Sequence, residues 1–72
     1  MEPHQERVVQ ELKELREKRE KLFRFIEANP AFRELPEDEK ERLERQHHIM
    51  AQYEEVLQDR ILHFRKEEAP AL

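Results

Sequence analysis

The chain has no cysteine, glycine or tryptophan, and it also has no serine or threonine. Without cysteine there is no disulfide framework and no thiolate metal site. The usual hydroxyl and thiol nucleophiles of enzymes are missing, and without glycine there is no glycine-rich loop to hold a nucleotide phosphate. These absences argue against catalysis. They predict a binding protein that is not an enzyme and that carries no cofactor.

Long apolar runs are also missing from the sequence, whereas a membrane-spanning helix needs about 20 mostly apolar residues. The N-terminal segment MEPHQERVV lacks the apolar core of a signal peptide. The net charge of −4 argues against duplex DNA or RNA as the main partner, because such affinity comes from many basic contacts to phosphates. We therefore expect a cytoplasmic protein that binds neither a membrane nor duplex nucleic acid. The net charge does not exclude a small anion as a ligand in a local basic pocket.

What is present favours helices, because 44% of the residues are charged, 36% are apolar and nearly all are good helix formers. Apolar residues at helical spacing predict one helix over about residues 4–28 and a second over about residues 36–65. Residues 29–35 would form the connecting turn, with one turn of 3₁₀- or α-helix in its segment PAFREL, and residues 66–72 a frayed tail. The expected fold is all-α, a single antiparallel helical hairpin domain over residues 1–72.

Prolines mark the two sides of the predicted turn. Pro30 disfavours helical geometry at Asn29, and asparagine tolerates the left-handed backbone conformation that often ends a helix. Pro36 fits the first position of the second helix, where its missing N–H group costs no hydrogen bond.

A single hairpin of this length is expected to be marginally stable. Ordering costs on the order of 1.5 kcal/mol per residue, which one helix–helix interface rarely offsets. The apolar arc of the second helix is also wide, running from Val56 round to Leu43 and Ile61. One partner helix cannot cover this arc, so we predict a helical-bundle homo-oligomer.

Each predicted helix carries one arginine within its apolar stripe, Arg19 on the first and Arg60 on the second. Such arginines often extend to solvent, cap carbonyl groups, or pair with a glutamate across an oligomer. The alternative is that they converge on a bound anion. The sequence alone leaves both readings open.

Three basic residues of the first helix also share one side. His4, Arg7 and Lys18 fall within a sector of about 60°, since steps of three, eleven and fourteen residues nearly realign on a helix. Glu11 and Glu14 dilute the positive charge of this sector. It therefore fits either a solvated face or an anion site.

The adjacent pair His47 and His48 does not predict a metal site. Neighbouring helical residues point about 100° apart. The positions four residues further on, where a second ligand would lie, hold Ala51 and Gln52.

Five sequence elements follow one another in a fixed order along the hairpin. They are His-Gln-x-Arg-Val-Val (4–9), Glu-Leu-x-x-Lys-x-x-Lys-Leu-x-x-Phe-Ile (14–26), Asn-Pro-x-Phe-x-x-Leu-Pro (29–36), Arg-Leu-x-x-Gln (42–46) and Met-x-x-Tyr-x-x-x-Leu-x-x-Arg-Ile (50–61). Together they resemble the phage anti-CBASS cyclic-oligonucleotide sponge family of small helical hairpin proteins. The resemblance covers residues 4–64.

The resemblance implies a dimer-based oligomer, commonly a hexamer, that sequesters cyclic dinucleotide second messengers without cleaving them. Such a protein would block CBASS-type immune signalling in the cytoplasm of the host cell. The implied dinucleotide site lies near the start of the first helix, with His4 as the stacking ring, Lys18 on the phosphates, and Arg7 and Val8 alongside.

The resemblance also implies a second site, for cyclic trinucleotides, where three protomers meet. Arg60 would serve that site, together with His63. The alternative function is a structural or protein-interaction helical hairpin that forms an oligomer and has no nucleotide ligand.

Overall fold

The structure, a computed structural model, describes residues 1–64 of the chain. Three helices are present in this range: α1 (Pro3–Ala28), α2 (Pro30–Arg33) and α3 (Glu37–Leu62). Residues 1–64 contain no β-strand, and none of their helices is both long and apolar enough to cross a membrane. The predicted tail at residues 66–72 lies outside the described residues, as does residue 65, where the second helix was expected to end.

The start of α1 is fixed by its own first residues. Pro3 occupies the first helical position, where a missing backbone N–H group is not needed. The backbone N–H of Glu2 donates to Oε1 of Gln5 (2.9 Å), which is one half of a capping box. Gln5 is buried, so this polar side chain belongs to the helix end and not to the solvated surface.

The turn contains the predicted short helix, α2, but the end of α1 differs from the prediction. Asn29 has extended backbone angles (φ −87°, ψ 122°), and no residue in the range 1–64 has a positive φ, so the predicted left-handed ending is wrong. Instead Oδ1 of Asn29 accepts a hydrogen bond from the backbone N–H of Ala31 (2.9 Å), which caps α2. The extended geometry results because Pro30 begins a new helix immediately.

The beginning of α3 is also displaced by one residue from the prediction. Pro36 is the residue before the helix, and its carbonyl oxygen accepts from the backbone N–H groups of Glu39 and Lys40 (both 3.0 Å). Glu37 is therefore the first helical residue. Acidic side chains at the first three positions of α3 complement the positive end of the helix dipole.

The two long helices run antiparallel and pack against each other along one side. Phe23 of α1 meets His47 of α3, and Arg19, one turn earlier in α1, meets Glu54 two turns later in α3. Their buried apolar core consists of Val8, Leu12, Leu15, Leu57 and Phe64, with Met50 and Ile61 packed against it. This confirms the predicted all-α class with two long packed helices. The homo-oligomer stays a prediction.

An ion cluster lies within the same helix contact. Glu54 is only 5% exposed, and its carboxylate pairs with the guanidinium groups of Arg19 and Arg16 on α1. Arg19 thus forms its ion pair inside the hairpin, with a glutamate of its own chain. A buried carboxylate held by two cations anchors the middle of α3 to α1.

One apolar side of α3 is left uncovered by α1. We call Ile49, Tyr53 and Val56 the α3 apolar face, since steps of four and seven residues place them on the same side of a helix. All three are exposed in the hairpin. Arg60, a further four residues on, lies on the same side and is also exposed.

Candidate functional site

A groove of about 430 Å³ lies on the hairpin surface, open to solvent, where α1 and α3 meet. We call it the α1–α3 groove. Its lining combines charged, amide, aliphatic and aromatic side chains, six of them from α1 and one from α3: Arg7, Gln10, Glu11, Glu14, Leu15, Lys18 and Tyr53.

Helix periodicity places the two cations of the groove on one side of α1. Arg7 and Lys18 are eleven residues apart, which is about three turns of α1, so both side chains project on the same side. Both are exposed, and neither forms an ion pair with another residue of the described range. Two positive groups are therefore available to an anion in this groove.

The remaining lining residues give the groove a floor and a mixed charge. Leu15 belongs to the buried core and forms part of the apolar floor. Nε2 of Gln10 donates to Oε1 of Glu14 (3.3 Å), which holds that carboxylate against α1. Glu11 and Glu14 balance the two cations, so the groove is not a plain anion site. It offers donors to phosphates and acceptors to amino groups along the same wall.

The structure brings together two of the four residues predicted for a dinucleotide site. Arg7 and Lys18 share the α1–α3 groove, whereas Val8 is 6% exposed and lies in the core. His4 lies one turn before Val8 on the exposed surface of α1 and is not among the residues that line the groove. The ligand role of each of the four stays a prediction.

The second predicted site lies at the other end of the chain. Arg60 is exposed in the last turn of α3, and His63 is the residue that follows the helix. Nδ1 of His63 donates to the backbone carbonyl oxygen of Asp59 (2.8 Å), which orients the imidazole ring. Both residues project from the surface of one hairpin, and their role toward a cyclic trinucleotide stays a prediction.

His47, one of the two adjacent histidines, packs against side chains of α1. The ring of His47 lies against Phe23, with centroids 5.3 Å apart, and its Nε2 is 3.5 Å from Nη1 of Arg19. Over residues 1–64, no group of three or more histidine, cysteine, aspartate or glutamate side chains is placed to hold a metal ion.

Sequence reasoning missed the part that Tyr53 and Glu54 play around the groove. The sequence distinguishes Tyr53 only as a member of the apolar arc of the second helix and of the fifth sequence element (50–61), and it does not distinguish Glu54 among the 18 acidic residues. The one available signal was the polar tip of the tyrosine ring, which is typical of a position at the edge of a buried stripe. The contact of Glu54 with α1 depends on the register of the two helices.

Comparison with known proteins identifies one family. The sequence model of the Sequestin family matches residues 2–63, a range that includes all three helices and every residue that lines the α1–α3 groove. No curated protein and no solved structure matches the chain.

Proposed function

The chain belongs to the Sequestin family, the anti-CBASS sponges of cyclic oligonucleotides, and from this premise we propose that it sequesters a cyclic dinucleotide without cleaving it. The observation that carries the proposal is that two cationic side chains, Arg7 and Lys18, line the same α1–α3 groove. A cyclic dinucleotide carries two phosphates, and unpaired cations on one wall are what such a ligand needs.

The expected affinity follows from the number of contacts. Charge-assisted hydrogen bonds contribute about 1.5–3 kcal/mol each, and base stacking contributes about 1–3 kcal/mol per base. Two copies of each contact contribute about 5–12 kcal/mol before the cost of association, which supports binding in the micromolar range. A sponge needs affinity and copy number but no turnover, and the lack of serine, threonine and cysteine agrees with that role.

One hairpin supplies only half of the site that this ligand requires. A cyclic dinucleotide has approximate two-fold symmetry, with two bases and two phosphates, whereas the α1–α3 groove has two cations and one aromatic ring. A pocket on a two-fold axis would meet both halves of the ligand with copies of the same residues. We therefore place the ligand between two protomers.

The surface of the hairpin supports this assembly. Only five apolar side chains of residues 1–64 are buried, a small core for a domain of this size, while the α3 apolar face remains exposed. Packing Ile49 and Val56 of that face against a second copy would remove their apolar area from water, while Tyr53 would lie at the edge of the contact, beside the groove. We propose a dimer-based homo-oligomer that extends to a hexamer, in the cytoplasm of the host cell where the messenger is made.

The carboxylates of the groove have a role in this proposal. Glu11 and Glu14 only accept hydrogen bonds when ionised, so they repel phosphates but suit the amino groups of bases. A ligand would therefore lie with its phosphates toward Arg7 and Lys18 and its base edges toward the glutamates. In this proposal neither carboxylate has a catalytic role.

Titration calorimetry with a panel of cyclic dinucleotides tests the proposed function. We expect at least one of them to bind with micromolar or tighter affinity and to be recovered intact after heat denaturation of the protein. Absence of heat with every member would favour the alternative, a structural hairpin without a nucleotide ligand. Appearance of linear dinucleotide would contradict sequestration and indicate hydrolysis.

Adding a cyclic trinucleotide to the same calorimetry experiment tests the second site. We propose that Arg60 and His63 hold this ligand where protomers meet, which is supported by the exposed position of Arg60 beside the α3 apolar face. Arg60→Leu should abolish trinucleotide binding and leave dinucleotide affinity unchanged. Loss of both affinities together with the oligomer would show that Arg60 holds the assembly and not a ligand.

A further inference from the structure

Tyr53 brings the one aromatic side chain of the α1–α3 groove, and it comes from the helix opposite the two cations. We propose that Tyr53 is the base-stacking residue of this groove. The inference rests on the proposed function and deepens it, because it assigns the ring that holds a nucleobase to α3. The resemblance places that ring at His4 of α1.

The other large aromatic side chains of the chain do not line the groove. Phe25 and Phe32 contact each other edge to face with centroids 6.0 Å apart, Phe23 lies against His47, and Phe64 is buried in the core. Tyr53 is 43% exposed and borders the groove, so one part of its ring faces solvent. It is the aromatic residue of the described range that is available to a ligand beside Arg7 and Lys18.

The position of Tyr53 is fixed by its neighbours in α3. The adjacent Glu54 is buried and paired with Arg19 and Arg16, and Leu57, one turn further on, is fully buried against α1. These two anchors hold this turn of α3 next to the part of α1 that carries Lys18. The ring is therefore pre-positioned, which lowers the entropy lost when a base stacks on it.

The combination of the Tyr53 ring with the two cations of the groove suits a nucleotide. A base stacked on Tyr53 would leave its phosphate within the sector of Arg7 and Lys18, so one groove would hold both parts of one nucleotide. Every base has a flat π face, so stacking contributes affinity without selecting the base. The ligand is thus a cyclic dinucleotide whose bases stack on Tyr53. The polar side chains that line the groove would then select among the bases.

The protein contains a built-in reporter for this contact. Tyr53 is the single tyrosine and tryptophan is absent, so tyrosine emission reports on the groove alone. Titration with the dinucleotide that binds most tightly in calorimetry should quench this emission, and the quenching should saturate at the same dissociation constant. Parallel titration of N-acetyltyrosinamide corrects for light absorbed by the ligand. Unchanged emission at full saturation would overturn the proposal without any substitution.

Variants of Tyr53 separate the ring from its hydroxyl group. Tyr53→Leu should weaken binding at least tenfold, from one lost stacking contact in each half of the site, whereas Tyr53→Phe should retain affinity within about threefold because the π face persists. Gln52→Ala is the matched control, since Gln52 is the exposed neighbour of Tyr53 in α3 but lies outside the α3 apolar face and does not line the groove. Circular dichroism and a sizing column verify that each variant keeps its helices and its oligomeric state.

The outcomes distinguish this inference from the proposed function. Full affinity in Tyr53→Leu, with weakened binding in Lys18→Ala, would overturn the role of Tyr53 and leave sequestration intact. A tenfold loss in His4→Ala, with none in Tyr53→Leu, would assign the stacking ring to His4. Absence of binding in the unsubstituted protein would overturn both.

Discussion

Lys18→Ala is expected to weaken the binding of a cyclic dinucleotide about a hundredfold. The substitution removes the ammonium group from the α1–α3 groove, where it forms no ion pair with any described residue. In a two-fold pocket each change removes two phosphate contacts, at roughly 1.5 kcal/mol each. Alanine is a strong helix former, so α1 should persist. Titration calorimetry at fixed salt measures the loss.

Lys13→Ala is the matched control for this experiment. Lys13 is an exposed lysine of the same helix, and its loss changes the net charge by the same amount, but it does not line the groove. The affinity of Lys13→Ala should stay within about twofold of that of the unsubstituted protein, because an exposed charge that does not line the groove makes no direct contact with the ligand and is weakened by solvent and salt. Equal losses in both variants would show a non-specific charge effect, and full affinity in Lys18→Ala would place the ligand on another face.

Glu54→Ala is expected to lower the free energy of unfolding by about 2 kcal/mol. It removes the carboxylate that pairs with Arg19 and Arg16 and leaves two guanidinium groups at the helix contact without a partner. The loss should fall below the 3–5 kcal/mol typical of fully buried pairs, since both arginines are partly exposed and remain hydrated. Thermal melting followed by circular dichroism, at one protein concentration, measures the change.

Glu55→Ala serves as the control for the ion cluster. Glu55 is the exposed neighbour of Glu54, so its removal changes the same charge without touching the helix contact. We expect a change within about 0.5 kcal/mol. An equal loss of stability in both variants would assign the effect to net charge. No loss in Glu54→Ala would mean that the cluster contributes no stability.

Features governed by spacing within one helix could be predicted from the sequence. Arg7 and Lys18 share a wall because both belong to α1, and an eleven-residue step returns to the same side whatever α3 does. The apolar stripes likewise identified two packed helices, since their periodicity is set by the helix itself.

Features that depend on how two helices are placed against each other could not be predicted from the sequence. The ion pair of Arg19 with Glu54, and the position of Tyr53 on the groove that Lys18 also lines, both depend on the register of α3 against α1. Apolar periodicity fixes which side of each helix is buried but tolerates a shift along the axis. Many glutamates lie on both helices, so no single partner for Arg19 stands out in the sequence.

The turn shows a different limit of local reasoning. Asparagine before proline fits both a left-handed helix ending and the cap of a new helix, and the residues that follow decide between them. Here Pro30 starts α2 at once, and the Asn29 side chain caps it through Ala31. The packing of Phe32 against Phe25 favours this arrangement, and it is a contact across the turn.

Native mass spectrometry of the protein with a saturating cyclic dinucleotide tests the central claim most directly. We expect assemblies with an even number of chains, one bound ligand for every two chains, and a released ligand whose mass equals that of the intact cyclic dinucleotide. This ratio follows from a two-fold pocket to which each protomer contributes one groove. A ligand-free assembly, or a ligand mass increased by one water molecule, would contradict sequestration by this protein.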